Sequence, residues 1–304
     1  MSSAIIGIIV ALFGLGVGSF INVITTRFQP DNYIKFPQLV GGRSRCPFCL
    51  HQLRWYDLIP IFSFVFLKGK CRYCGKKISW QYPIVEILTS LIFVLMFFKF
   101  WNLTPIRLAL AQHIFTWPII FFLIYLFYIS LLLVLSIIDL KYYLLPDSYI
   151  IVGDIVAVLA NLYFYFLHLN PQNHFFNCGV NFLGSYIDYF NCQTHPLISV
   201  LLGIAVASGF LFLIYLLSRG RGMGFGDVKL GIFIGLILGF TNSILAVALA
   251  FIFGSIVGII MLVFKKRTLK SMVPFGPFLA LGVLITIIFG SNIIELYLSL
   301  FNLF

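Results

Sequence analysis

Asp227 is the acidic residue whose surroundings first point to chemistry. It ends the stretch Gly222-Met223-Gly224-Phe225-Gly226-Asp227, which stands between two long apolar segments. A carboxylate is costly where a chain enters a membrane, so such a residue is a candidate for function. The three glycines of this stretch would allow a tight turn and a close approach by another backbone segment.

A second acid in a similar setting is Asp139, which ends the apolar run from Leu131 to Ile138. Two neighbouring carboxyl groups that share one proton can hydrolyse an amide, because one activates water while the other polarises the carbonyl. Each acid could instead be a residue at a helix end, since helix starts favour Asp. Asp147, which follows Pro146 and precedes another apolar segment, is interpreted in this second way, as a helix N-cap.

Four cysteines form two Cys-x-x-Cys pairs in the most polar part of the chain. They are Cys46, Cys49, Cys71 and Cys74, with 21 residues between the pairs. This pattern is typical of structural zinc sites, in which four thiolates complete a tetrahedral ligand set. Disulfides are the alternative, but we expect this segment to face the reducing cytoplasm. Bound metal would also stabilise a segment too short to form a large core.

The composition indicates a protein that crosses a membrane several times. Of the 304 residues, 61% are hydrophobic and 10% are charged, and the mean hydropathy is +1.07, whereas soluble domains are about 25% charged. A span needs about 20 apolar residues. We therefore predict an all-α protein with about eight transmembrane helices, at roughly 4–24, 83–101, 116–138, 148–168, 196–218, 228–241, 243–263 and 275–300.

The basic residues predict the orientation in the membrane. Lys and Arg concentrate in residues 25–82, beside the glycine stretch and after the seventh apolar segment. With eight helices these regions all fall on one side, which the positive-inside rule makes the cytoplasm. The net charge of +11 is therefore a topology signal and requires no nucleic acid. In the opposite loop, residues 169–195, Cys178 and Cys192 could form a disulfide or remain free thiols.

Taken together, these residues resemble the type IV prepilin peptidases, the leader peptidases of type IV pilus and type II secretion systems. The Gly-x-Gly-Asp motif alone is shared with presenilin-like proteases and preflagellin peptidases, but its combination with the cysteine pairs is specific. The matching positions run in order along nearly the whole chain: Gly18 to Val23, the four cysteines, Pro83 to Glu86, Ile138-Asp139 with Leu145-Pro146-Asp147, Gly224 to Leu230, and Pro274 to Pro277.

The resemblance implies an intramembrane aspartyl protease of the bacterial inner membrane, whose catalytic pair maps onto Asp139 and Asp227. Such enzymes cut a short basic leader from prepilins or pseudopilins at the cytoplasmic membrane face. They then methylate the new N-terminus with S-adenosylmethionine. We accordingly divide the chain into a first transmembrane helix (1–24), a cytoplasmic domain that binds structural Zn²⁺ (25–82) and a transmembrane protease core (83–304).

Three other functions stay open at this point. The chain could be a peptidase without methyltransferase activity, or a zinc-dependent scaffold without catalysis. It could also be a proton-coupled transporter that uses Asp139, Asp154 and Asp227. A transporter would place its acids near the middle of the membrane and show a repeat between its two halves, and the sequence shows no such repeat.

Helix position predicts which acid holds the shared proton. Asp139 would end the third apolar helix, where the macrodipole is negative, and Asp227 would begin the sixth, where it is positive. We therefore expect Asp139 to keep the proton and polarise the carbonyl, while Asp227 activates water. If the third helix ran on through Lys141 to Leu145, Asp139 would no longer lie at a helix end and this bias would fade.

Overall fold

The computed structural model describes residues 3–30, 42–102, 117–168, 196–264 and 273–300. In these ranges the extended elements are two isolated backbone bridges, and every longer element is a helix. Six of the described helices are long and apolar enough to cross a membrane. The predicted pairing of Cys178 with Cys192 lies outside the described residues.

Each of the eight predicted apolar segments is helical, which confirms the all-α class. A short 3₁₀ helix, Trp55–Leu58, lies in the insertion that carries the cysteines. The α-helices of the described ranges are α1 (Ser3–Arg27), α2 (Phe62–Phe66), α3 (Gln81–Asn102), α4 (Trp117–Tyr142), α5 (Asp147–His168), α6 (Pro196–Leu217), α7 (Phe225–Val263) and α8 (Gly276–Leu300).

Helix α7 contains both the sixth and the seventh predicted segments. It has 39 residues and breaks at Gly239, where φ is 68° and ψ is −168°. The break lies a few residues before the predicted division at 241–243. The side chain of Ser199 accepts a hydrogen bond from the freed N–H of Phe240 at 3.3 Å. An unbroken helix of this length would measure about 58 Å. The break divides it into residues 225–238, which are shorter than the about 20 residues of a full crossing, and residues 240–263, which reach that length.

The chain divides into two compact units, Met1–Ser130 and Leu131–Phe304. In the first unit α1 packs closely against α3. A Cβ atom on Gly18 would lie 2.7 Å from the Cα of Glu86, and Asn22 donates a hydrogen bond to the carbonyl of Tyr82 at 3.1 Å. Small residues and the Asn22 side chain therefore hold α1 against α3. The division at residues 24 and 82 stays a prediction.

In the second unit α7 packs against α5, α6 and α8. Glycines again bring the helices together, since a Cβ atom on Gly231 would lie 2.9 Å from the Cα of Ser208 in α6. Phe233 in α7 and Leu211 in α6 are fully buried, as is Ile138 in α4. This unit carries both Asp139 and Asp227.

Candidate active site and metal site

Asp139 is buried in the last turn of α4, three residues before the helix ends. Its Oδ2 atom accepts a hydrogen bond from the backbone N–H of Gly276, the first residue of α8, at 2.9 Å. A Cβ atom at position 276 would lie only 2.7 Å from that oxygen. Glycine at this position is therefore what lets the start of α8 reach the carboxyl group.

Asp227 is buried in the first turn of α7, and Gly224 is the N-cap residue of that helix. The backbone N–H of Asp227 donates to the carbonyl of Gly224 at 3.2 Å. The Asp139 carboxyl group is near enough to act electrostatically on Asp227. The structure thus brings together the two acids that the sequence singled out.

Leu145 packs between the two helix starts that carry the site. A Cβ atom on Gly226 would lie 3.0 Å from its Cβ, and one on Gly276 would lie 3.4 Å from its Cδ2. The short linker between α4 and α5 therefore holds the starts of α7 and α8 in place. The sequence analysis did not find this role, although Leu145 stands in one of the matching motifs.

The glycines before Asp227 act differently from our expectation. The tight turn lies earlier, where Arg219 and Gly220 have φ values of 50° and 71°. Gly226 instead allows the contact with Leu145, whereas a Cβ atom on Gly224 would lie at an ordinary 3.6 Å from Asp227 Oδ2. Gly226 therefore allows close packing at the site, and the chain turns at Arg219 and Gly220.

The two acids lie at opposite ends of their own helices, as expected, but a second helix also meets the Asp139 carboxyl group. Helix α4 continues past Asp139 and ends at Tyr142, and the next residue, Tyr143, has a φ of 54°. The Asp139 carboxyl group is hydrogen-bonded by the N-terminus of α8, and Asp227 lies at the N-terminus of α7. Both carboxyl groups therefore meet the positive end of a helix, and the helix dipoles no longer assign the shared proton to Asp139.

The N-cap interpretation of Asp147 is also corrected. Asp147 is itself the first residue of α5, and its Oδ2 accepts a hydrogen bond from Lys229 Nζ at 2.7 Å. Lys229 also lies over the ring of Phe225, with its Nζ 5.3 Å from the ring centroid. Asp147 thus links the start of α5 to the start of α7, next to Asp227.

The four predicted metal ligands lie together in the first unit. The Sγ atoms of Cys46, Cys49, Cys71 and Cys74 are all within 4.8 Å of one another, and those of Cys46 and Cys74 are 3.9 Å apart. Tetrahedral coordination with metal–sulfur bonds of about 2.3 Å would place the sulfurs about 3.8 Å apart. The four thiols therefore form a group that could hold a metal ion, and His51 is not part of it.

The two cysteine pairs sit on similar backbone loops. The N–H of Cys46 donates to the carbonyl of His51 at 3.0 Å, and that of Cys71 donates to Lys76 at 2.8 Å. Leu50 and Gly75 have φ values of 56° and 70° and occupy equivalent positions, four residues after the first cysteine of each pair. Each loop turns back through a left-handed residue, which directs its two thiols to the same side.

Asp57 connects the second cysteine loop to the preceding 3₁₀ helix. Its carboxylate accepts hydrogen bonds from Arg72 Nε at 2.8 Å and from the Tyr73 hydroxyl at 3.0 Å. Burial alone would raise the pKa of Asp57, but the hydrogen bonds from Arg72, the Arg54 backbone and Tyr73 bring it below its ordinary value. Asp57 is therefore a structural anion of this segment.

Glu86 has a partner that the sequence analysis missed. Its position near the start of α3 places it at the positive end of that helix's dipole. In the structure its buried Oε2 accepts a hydrogen bond from the backbone N–H of Ile61 at 2.8 Å. Glu86 thereby ties the cysteine-bearing segment to the first turns of α3.

Comparison with known proteins bears directly on both sites. Residues 12–100 match the model of the bacterial peptidase A24 N-terminal domain, and residues 126–259 match that of the type IV leader peptidase family. A prepilin leader peptidase/N-methyltransferase of Aeromonas salmonicida (strain A449) is 30% identical over 312 residues, covering 96% of this chain and 93% of its own. The chain belongs to the type IV leader peptidase family.

Other members of the prepilin leader peptidase/N-methyltransferase family show similar agreement. The relative from Dichelobacter nodosus is 30% identical, covering 95% of this chain and 93% of its own. That from Bacillus subtilis (strain 168) is 28% identical, covering 96% and 98%. No solved structure matches the chain. The leader peptidase match contains Asp139 and Asp227, and the N-terminal match contains the four cysteines.

Proposed function

We propose that the chain cleaves the leader peptide of type IV prepilins or pseudopilins, with Asp139 and Asp227 as its catalytic pair. One observation carries this proposal: two buried carboxyl groups lie close enough to interact, that of Asp139 against the first residue of α8 and that of Asp227 in the first turn of α7. Membership of the leader peptidase family supports the same reaction and substrate class. We further propose that the site faces the cytoplasm from the bacterial inner membrane.

Amide hydrolysis by this pair needs one ionised and one protonated carboxyl group. The ionised group takes a proton from water, whose oxygen attacks the scissile carbonyl, while the protonated group hydrogen-bonds the developing oxyanion. The leaving amine then takes a proton from the pair as the carbon–nitrogen bond breaks. Because two close carboxyl groups titrate together, the proton belongs to the pair during the cycle.

The test uses purified full-length protein and a prepilin in detergent. Asp139→Asn and Asp227→Asn should each lower cleavage by about 10²–10⁴-fold, the usual contribution of a general acid or base, while the helical content stays unchanged. Asp154→Asn is the matched control, because it removes an acid of α5 that the proposed reaction does not use. Full cleavage by either catalytic-site variant would refute the assignment.

We also propose N-methylation of the new N-terminus with S-adenosylmethionine, and this proposal rests on the names of the relatives. Gly14 and Gly18 lie inside α1 and pack on α3, whereas a glycine-rich nucleotide-binding loop would follow a strand and open a helix. We derive no step through the methyl donor. Mass spectrometry of the cleaved product with the donor present tests the proposal, and an unmethylated product would identify a peptidase alone.

The four thiols are proposed to hold one structural zinc ion. Their mutual distances fit tetrahedral coordination, and four thiolates leave no position open for water. Metal analysis of the purified protein should find about one zinc per chain, which Cys46→Ser or Cys71→Ser removes. A variant with both Cys178 and Cys192 replaced by serine is the control and should retain zinc.

The transporter alternative is not favoured by the position of the acids. Asp139 lies three residues before the end of α4, and Asp227 is the third residue of α7. A proton pathway would instead need acids near the middle of the membrane. Both acids are therefore better placed to meet a peptide at the membrane surface.

A further inference from the structure

A set of strongly exposed apolar side chains lies in the cysteine-bearing segment, outside the membrane-spanning helices. We call it the exposed apolar set. Large apolar patches on a protein surface mark contacts with a partner or a membrane. Its members are Trp55, Phe62, Val65 and Phe66, which are 78%, 55%, 65% and 81% exposed.

Helix α2 presents three of these side chains on one face. Phe62, Val65 and Phe66 are spaced as i, i+3 and i+4, which places them together along a helix. Phe64 contacts the protein instead, with its ring 5.0 Å from that of Trp80. The helix is therefore two-faced, with one side packed on the segment and the other open.

A hydrogen bond fixes the depth of α2 relative to α3. The N–H of Ile61, the N-cap residue of α2, donates to Glu86 Oε2 at 2.8 Å. Glu86 is the sixth residue of α3, inside the candidate membrane span Gln81–Trp101. Five steps of 1.5 Å place it about 7.5 Å beyond the first residue of that helix. Helix α2 thus begins beside the apolar part of α3, at the level where a bilayer would start.

The charges around α2 complement an anionic surface. Residues 42–80 contain eight Lys and Arg residues and one acid, Asp57, and that acid is already engaged by Arg72. Lys68 and Lys70 are exposed directly after α2. Basic segments next to a membrane-spanning helix attract anionic lipids, and tryptophan favours the boundary between headgroups and acyl chains.

We propose that α2 and the 3₁₀ helix Trp55–Leu58 lie in the headgroup region of a bilayer that contains anionic lipids. The exposed apolar set is then directed to the acyl chains. This contact holds the metal-binding segment against the membrane surface. The competing occupants of the surface are a second copy of the chain and the prepilin substrate. The position beside the first turns of α3 favours lipid, because a bilayer around α3 would already fill this space.

Fluorescence of the full chain in nanodiscs that hold one copy tests the proposal. Trp80, Trp101 and Trp117 are replaced by phenylalanine, which leaves Trp55 as the reporter. With brominated phosphatidylcholine and phosphatidylglycerol, Trp55 should show blue-shifted emission and quenching comparable with that of a variant that keeps only Trp101. Emission typical of water without bromine quenching would overturn the proposal, as would protection that appears only when prepilin is added.

Matched variants separate lipid contact from folding. Replacing Phe62, Val65 and Phe66 together by serine should abolish the bromine quenching of Trp55 and leave the bound metal unchanged, since these side chains are exposed. Replacing the same three by leucine should preserve the quenching. Lys68→Gln with Lys70→Gln should weaken it only in discs that contain phosphatidylglycerol. Quenching that is equal with and without this lipid would overturn the role of anionic lipid.

Discussion

Asp139 is held by the backbone of a helix that begins 137 residues further along the chain. The contact depends on Gly276, because any side chain there would enter the space of the carboxyl oxygen. The position of one proposed catalytic group is thus set by the residue that opens α8. Leu145 supports the same arrangement from the linker between α4 and α5.

Gly276→Ala should separate folding from cleavage. The added methyl group would lie 2.7 Å from Asp139 Oδ2, so the carboxyl group must move. A displacement of about 1 Å can cost about 10²-fold in rate, and we expect a loss of that size in kcat/KM for prepilin cleavage. Gly258→Ala is the control, since no atom lies within 4 Å of its Cβ position. An equal loss in both variants would contradict this explanation.

Asp147→Asn should leave cleavage intact. Its ion pair with Lys229 is partly exposed, with 50% of the Asp147 side chain and 34% of the Lys229 side chain accessible. Pairs of this kind contribute about 0–1 kcal/mol, so the thermal midpoint in detergent should fall only slightly. Complete loss of cleavage in the folded variant would instead place Asp147 in the reaction.

The sequence was sufficient to find the acids and the cysteines, because their residue types and local spacing carry the chemistry. It was not sufficient for Gly276, Ile61 or Lys229, whose partners are distant in sequence. Predicting such contacts requires the helix packing. The proton assignment stays a prediction, and the sequence did not show that the N-terminus of α8 also meets the Asp139 carboxyl group.

At the scale of elements, glycine residues let neighbouring helices pack with their backbones in close contact. In α7, a Cβ atom on Gly235 would meet the backbone nitrogen of Ile204 in α6. Apolar runs predicted that helices exist, but their ends were less certain, because backbone hydrogen bonding can continue past the apolar run. Helix α4 therefore extends to Tyr142 and includes the polar residues Asp139 and Lys141.

Gly235→Ala should destabilise the pairing of α6 and α7. Its new methyl group would meet backbone, which cannot rotate away as a side chain can, and overpacking of this kind costs about 1–3 kcal/mol. The thermal midpoint in detergent should fall clearly. Gly209→Ala in α6 is the matched control, with no atom within 4 Å of its Cβ position. A stable Gly235→Ala protein would show that the helices can separate slightly without loss.

Exchanging the left-handed residues of the two cysteine loops tests how the loop backbone affects metal retention. Leu50 has a φ of 56°, and Gly75 has a φ of 70° at the equivalent position. This left-handed conformation destabilises the fold by about 1–2 kcal/mol when the residue is not glycine. Leu50→Gly should therefore raise the chelator concentration that removes half of the metal, and Gly75→Leu should lower it. Changes in the same direction in both variants would contradict this account.

At the scale of the whole molecule, the chain consists of two units, and the division at Ser130 and Leu131 falls inside α4. The N-terminal family match ends at residue 100, in the first unit, and the leader peptidase match begins at residue 126. The four cysteines and the two proposed catalytic acids therefore belong to different units.

Composition alone predicted that the chain is a membrane protein, because membrane insertion depends on the average hydropathy of long segments and not on particular contacts.

The distribution of basic residues predicts the topology. Phosphatase reporters, which are active only outside the cytoplasm, should be inactive when fused after Trp80 or Arg221 and active when inserted in residues 169–195. A matched set of fluorescent fusions should give the opposite pattern. Activity after Arg221 would place the glycine stretch on the outer face and contradict the proposed location of the site.

The hydrogen bond between Gly276 and Asp139 has a stereochemical consequence. Because Oδ2 is held by the α8 backbone at 2.9 Å, Oδ1 is the oxygen left for water or the peptide carbonyl. A carboxyl group fixed in this way presents one oxygen from one side, so attack should occur on a single face of the scissile bond. Peptide inhibitors that carry a hydroxyl group in place of that bond should therefore bind in one configuration at the hydroxyl-bearing carbon, and the epimers with the opposite configuration there should bind far more weakly.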